Sequence, residues 1–284
     1  MHEPLLTKTL TDLRVQILGW GIGMGLLLLL TVLLYPSIGS TYGDLMNQLP
    51  EHFLAFFGAE PSLDTLEGYL NLEFFTYAPM VLAVFAILAG TGSIISEENQ
   101  GTLDILLAQP VSRLRLVASK MAGLALGNGM VVAILIAMFW VTIPFLNLEV
   151  KAGRIMGAFA LLWPFLTAIA FLSVLLSLML SSRLFAGTVV GVLLVASYIL
   201  GSLANLVSEL EPLRPIYLTT YYQGSNALAS EVSLAYTVGL IGILLAALSL
   251  SVWLFLRRDI AIQRSVWLPI PLVAASSKSD LECT

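Results

Sequence analysis

The sequence holds few groups that could make or break bonds. Two histidines, His2 and His52, and a single cysteine, Cys283, cannot assemble a metal cluster or an intrachain disulfide. No histidine falls within an apolar run, no Cys–His pair occurs, and there is no H-E-x-x-H zinc helix. The glycine-rich string "GWGIGMG" (residues 19–25) lies inside an apolar stretch rather than between a strand and a helix, and the G-x-x-x-x-G-K-[ST] phosphate loop is missing. What remains is recognition chemistry, concentrated in one polar passage, "SEENQGTLDILLAQPVSR", residues 96–113. Leu103, Leu106 and Leu107 share one face of a helix at i, i+3, i+4 spacing. Ser96 or Thr102 can cap its start, the acids Glu97 and Glu98 suit its N-terminal end, and Pro110 terminates it. From the residues alone, that apolar face can lie on a membrane surface, fold beneath a bundle, or enter a groove in another protein.

The elements around this passage are built for lipid. Of 284 residues, 58% are hydrophobic and 11% charged, against roughly 25% charged in an ordinary soluble domain, and the mean hydropathy is +0.93. About 20 apolar residues carry a helix across a hydrocarbon core of roughly 30 Å. Six segments qualify, near residues 16–35, 70–95, 116–145, 155–180, 184–207 and 232–256. Unbroken runs such as "LLLLLTVLLY" exclude the strict alternation of membrane strands, so the fold class is all-α and polytopic.

Basic residues set the expected orientation. With both termini in the cytoplasm, the inner segments hold Lys8, Arg14, Arg113, Arg115, Lys120, Arg183, Arg257, Arg258, Arg264 and Lys278, leaving Lys151, Arg154 and Arg214 outside. The net charge of −5 and the acids of the outer loops argue against nucleic-acid partners. The polar start and the lack of a small-residue cleavage site predict that the first helix is retained rather than removed as a signal peptide. The reading is therefore a multi-pass protein of the cell (inner or plasma) membrane.

Residues 1–15 set Leu5, Leu6, Leu10 and Leu13 against Lys8, Asp12 and Arg14, which predicts a short interfacial helix. Residues 16–256 form the six-helix membrane domain and residues 257–284 a cytoplasmic tail, where Cys283 is an idle thiol. In the first outer loop "LMNQLPEHFLAFFG" predicts a surface-lying or re-entrant helix in which His52 makes an interfacial polar contact; prolines and tyrosines between 208 and 231 predict a partly ordered cap. Pairs of glycines four residues apart, Gly19 and Gly23, Gly123 and Gly127, Gly187 and Gly191, predict seams of close helix packing. Pro79 and Pro164 are candidate kinks of spans two and four.

An ion-driven carrier keeps an ionisable group at mid-membrane depth, where only function justifies its cost. None is found here. Glu73, Lys120 and Arg154 fall at span ends within reach of water, and the principal uncharged polar groups inside the spans, Asn128 and Asn205, can bond neighbouring helices. Energy for uphill movement must then enter from another chain.

The string "EENQGTLDILLAQPVSRLRLVASK" between two long apolar helices resembles the first cytoplasmic loop of ABC-2 type permeases, the membrane subunits of one class of ATP-binding-cassette transporter. Glu98, Gly101 to Leu103, Leu106, Leu107, Pro110 to Arg113 and Lys120 carry the match, and the six-span layout is similar over roughly residues 1–256. The resemblance implies that the loop is a coupling helix seated in a cleft of a separate ATP-binding subunit. In that picture Leu103, Leu106 and Leu107 fill the cleft, Gly101 permits a sharp turn, Thr102 and Pro110 bound the helix, and Val111 and Ser112 complete the interface. Glu97, Glu98 and Arg113 make charged contacts at the hinge with span two or with the ATPase. It further implies two copies of the ATPase, which hold ATP and Mg, and a second permease copy in a homodimer or related heterodimer; this chain itself carries no cofactor. The expected function is export, or outward flipping, of an amphipathic or lipid-like substrate through a path lined by spans one, two and five. A membrane scaffold that passes ATPase motion to a protein partner is the rival reading; an intramembrane enzyme fits the thin polar inventory poorly.

Overall fold

A computed structural model describes residues 5–46, 50, 65–93, 112–145, 150–180, 182–229 and 232–257, which are helix, turn and irregular chain with no strand among them. The first helix, α1 (Leu5–Met46), runs for 42 residues. At 1.5 Å per residue it is roughly 63 Å long, about twice the hydrocarbon thickness. The stretch expected as an interfacial helix leading into the first span is continuous with that span. No glycine or proline interrupts residues 5–15, so nothing in the backbone calls for a break.

Span two is broken. A short helix, α2 (Leu66–Leu70), passes into a π-helical turn over Asn71–Phe75, and α3 (Ala78–Gly92) restarts at a bend of 41°. The wide turn is closed by Thr76, whose amide and hydroxyl both donate to the Asn71 carbonyl, at 2.9 and 2.8 Å. Pro79 falls in the first turn of α3, where its missing N–H breaks no helical bond. The expected kink at Pro79 is therefore a restart of the helix. Pro164, by contrast, lies inside an unbroken helix.

Four further helices are long and apolar enough to cross: α4 (Arg113–Thr142), α5 (Ala152–Leu180), α6 (Arg183–Leu203) and α8 (Leu234–Arg257). With α1 they give five unbroken spans, or six if the bent pair counts as one span. Between α6 and α8 lie 3-10 turns over Ser208–Ile216 and Leu218–Tyr221 and a short helix, α7 (Gly224–Ala229). This ordered cap is what the prolines and tyrosines of that loop predict. The segment "LMNQLPEHFLAFFG" enters the described residues only at Leu45, Met46 and Pro50; His52 lies outside them.

Helix α5 is the axis of the bundle. In its apolar window 72% of the residues are buried, against 22% in α6 and in α8, and it packs on α3, α4, α6, α7 and α8. Phe75, Phe139 and Phe159 interlock beside it, with ring centroids 5.1 and 6.2 Å apart. Helix α1 packs chiefly on α4. Lipid is as apolar as leucine, so these seams depend on close approach and on hydrogen bonds rather than on water exclusion. Gly90 of α3 lies against the backbone carbonyl of Ala170 in α5. Trp163 Nε1 of α5 donates to the Ala125 carbonyl of α4 at 2.8 Å, across the space left open by Gly129.

The predicted glycine pairs divide in two. A Cβ on Gly123 would stand 2.6 Å from Thr9 Cγ2, one on Gly127 3.4 Å from Ile17, and one on Gly187 3.5 Å from Ile87. At Gly19, Gly23 and Gly191 a Cβ would meet nothing within 4 Å. On α1 the close approach is made instead by Gly21 and Gly25, which face Ile134 and Met138 of α4.

Candidate functional site

The polar passage joins α3 to α4. Of its residues, Glu97, Glu98, Gly101, Thr102, Leu103, Leu106, Leu107, Pro110 and Val111 lie outside the described residues, whereas Ser112 and Arg113 lie within them. Ser112 is the N-cap of α4: its backbone is extended and its hydroxyl accepts the Arg115 amide at 3.3 Å. The Pro-Val-Ser-Arg string thus includes the start signal of a 30-residue helix. Arg113 is the first helical residue and is exposed.

The other root of the passage is the last turn of α3. There the Arg183 guanidinium lies over Gly92, so close that a Cβ would stand 3.1 Å from Nη2. A larger residue at 92 would displace it. Together with Thr9, Asp12, Gln16 and Lys120, Arg183 lines a cavity of about 190 Å³ between α1, α3, α4 and α6. Lys120, expected to reach water, is only 6% exposed. The end of the bundle that carries the loop roots is therefore charged inside as well as outside.

At the opposite end are two further cavities. The smaller, about 140 Å³, holds Glu67, Asn71, Lys151 and Arg154. Glu67 reads in the sequence as one of the acids of an outer loop, yet it is 6% exposed and accepts the Lys151 amide at 2.9 Å. That pairing spans 84 residues and leaves no local trace in the sequence.

The larger cavity, about 220 Å³, lies between α3, α5, α6 and the cap. Its floor includes Phe75, Pro79, Met80 and Phe165; its polar wall includes Ser202, Asn205, Arg214, Thr220 and Asn226. The cap is pinned to α6 by Thr219, whose amide donates to Ser197 Oγ and whose hydroxyl donates to the Ser197 carbonyl, both at 3.0 Å. Gln223 fixes the far side through three bonds to Ser233 and Thr237. Arg214 Nη2 donates to the Ala204 carbonyl at 3.2 Å and to Asn205 Oδ1 at 3.0 Å. Asn205 therefore binds the cap. Asn128 bonds only its own helix, through Nδ2 to the Leu124 carbonyl at 3.1 Å, and its Oδ1 is buried without a partner.

Spans two, four, five and six line the larger cavity with the cap, and spans one, two and three line the charged one with the first residue of span five. Arg214, Tyr222 and Gln223 of the cap are site residues that sequence reasoning missed. The tyrosine-rich, proline-interrupted run from 208 to 222 was their only signal.

A family model described as ABC-2 family transporter protein matches residues 5–260, which is every described span. The chain belongs to the ABC-2 transporter family. No curated protein matches it. Membership makes the chain a membrane component of ATP-binding-cassette transport and a multi-pass membrane protein. Among the described residues no group of three His, Cys, Asp or Glu side chains could hold a metal.

Proposed function

We propose that this ABC-2 protein is the permease of an exporter whose ATP is hydrolysed by a separate subunit present in two copies, and that residues 96–113 are the coupling helix. The observation that carries the reading is the family match across the whole bundle, residues 5–260. The two roots of the loop support it. Ser112 starts α4 with a rigid cap, and Gly92 brings the end of α3 against Arg183 at the start of α6. A push on the loop would reach spans two, three and five at once.

In this mechanism the ATP-binding subunits hold ATP and Mg and supply the energy of hydrolysis. Leu103, Leu106 and Leu107 seat in their cleft, Gly101 and Thr102 turn into the helix, and Pro110 and Val111 lead out to the Ser112 cap. Glu97, Glu98 and Arg113 provide the charged rim. A second permease copy completes the path. The basic end, bearing Arg113, Arg115, Arg183 and Arg257, faces the cytoplasm with both termini. The cargo is amphipathic and moves outward, consistent with apolar spans that end in a cavity with an apolar floor and a polar wall.

The test is a pull-down of the co-expressed ATPase with the Leu106→Asp, Leu107→Asp double variant. Normal membrane insertion with loss of the ATPase is expected, because two carboxylates cannot enter an apolar cleft without a partner. An intact complex would refute the assigned docking surface.

A further inference from the structure

The larger cavity differs from the other two in its charge. The charged cavity sets Asp12 beside Lys120 and Arg183, and the smallest holds Glu67 with Lys151 and Arg154. Among the described residues lining the larger one, Arg214 is a cation and there is no carboxylate. Two of its lining residues, Arg214 and Tyr222, each carry a polar atom, Nε and the hydroxyl, that is shut from solvent and has no hydrogen-bond partner. Orphaned buried polar atoms are uncommon in folded proteins and call for a specific cause. Here both can donate, and an Nε–H can do nothing else.

The remaining surface is two-faced. Phe165 packs at a tilt of 42°, 5.3 Å from the Tyr222 ring, and with Phe75, Pro79 and Met80 it forms an apolar floor below the hydroxyls and amides. The volume of about 220 Å³ equals the liquid volume of about seven waters at roughly 30 Å³ each. That is room for a phosphate- or carboxylate-sized group and the first carbons attached to it. A whole lipid does not fit. The rest of an alkyl chain would lie outside the cavity.

We propose that this cavity binds the anionic headgroup of a single amphiphile, with Arg214 as its counter-charge and the Tyr222 hydroxyl as a second donor. Desolvation pushes the Tyr222 phenol up from its ordinary value, so the hydroxyl keeps its proton and remains a donor. Calling that amphiphile the cargo rests on the permease reading above; the binding site itself does not.

The test uses the full chain purified in dodecyl maltoside, its thermal unfolding followed by tryptophan fluorescence during titration with dodecyl phosphate, dodecyltrimethylammonium or inorganic phosphate. Ligand that binds the folded state raises Tm in a saturable way. Dodecyl phosphate should do so, with half-saturation moved about 10-fold or more higher in Arg214→Gln, as expected for loss of a charge-assisted bond, and partly recovered in Arg214→Lys. If Arg214→Gln does not fold, Tyr222→Phe decides, since it removes only an unpartnered hydroxyl; its half-saturation should rise several-fold. An equal shift with dodecyltrimethylammonium, or unchanged titrations in the variants, overturns the proposal. Equal potency of inorganic phosphate overturns the amphiphile in favour of a free small anion. Because the permease is titrated alone, failure here leaves ATPase docking intact, and failure of docking leaves this result intact.

Discussion

Gly90 offers a direct test of how the bundle is held together. In Gly90→Ala the new Cβ would stand 2.9 Å from Ser173 Cβ and closer still to the Ala170 carbonyl oxygen. Carbon atoms in contact sit about 3.5–4.0 Å apart, so α3 and α5 must separate by roughly 0.6–1 Å. The obstacle is backbone in the axial helix, which cannot swing aside as a side chain does. Overpacking of this kind costs about 1–3 kcal/mol, and alanine returns about 0.5–1 kcal/mol in helix propensity. A net loss of about 1 kcal/mol lowers Tm by about 2–4 °C for a domain of this size. The matched controls are Gly19→Ala and Gly23→Ala, whose Cβ atoms meet nothing within 4 Å; they should hold Tm or raise it slightly. The assay is thermal unfolding in one detergent, read by tryptophan fluorescence. If Gly90→Ala melts with the controls, the α3–α5 seam is not the close contact described, and the reasoning from approach distance fails.

Two other outcomes follow from buried polar groups. Asn128→Leu removes a buried acceptor that has no partner and should stabilise the chain by about 1 kcal/mol, seen as a higher Tm; a lower Tm would contradict the burial of an unpartnered Oδ1. Tyr222 has a folded-state pKa raised above its ordinary 10.0 by burial, so its contribution is whole below about pH 10 and is lost as pH rises beyond it, by up to about 1.4 kcal/mol per pH unit. Unfolding measured from pH 8 to 12 should show a steeper alkaline decline in the natural chain than in Tyr222→Phe, and parallel declines would contradict the burial of that phenol.

The sequence was most legible where composition alone decides the outcome. Runs of about 20 apolar residues have one stable form in lipid, a helix, because no water is available to satisfy an open backbone. The spans of the bundle were found on that ground. The polar passage at 96–113 was identifiable because amphipathic spacing is conspicuous between two uniformly apolar helices. Its last residues show what spacing concealed: Ser112, read as part of an interface, is also the cap of α4.

What the sequence by itself determined is therefore the type of the elements and roughly where each lies along the chain. Only the tertiary structure decided which faces meet. A helix apolar on every side carries no phase, so nothing in "GWGIGMG" tells that Gly21 and Gly25 face α4 while Gly19 and Gly23 face open space. The cavities were equally hidden, because they arise from pairings across the chain: Ser197 with Thr219, 22 residues apart, and Glu67 with Lys151, 84 residues apart. Local periodicity records what a residue's own helix needs. Which distant group satisfies Glu67, and which cation stands over an apolar floor at Arg214, follows only from packing the spans around α5.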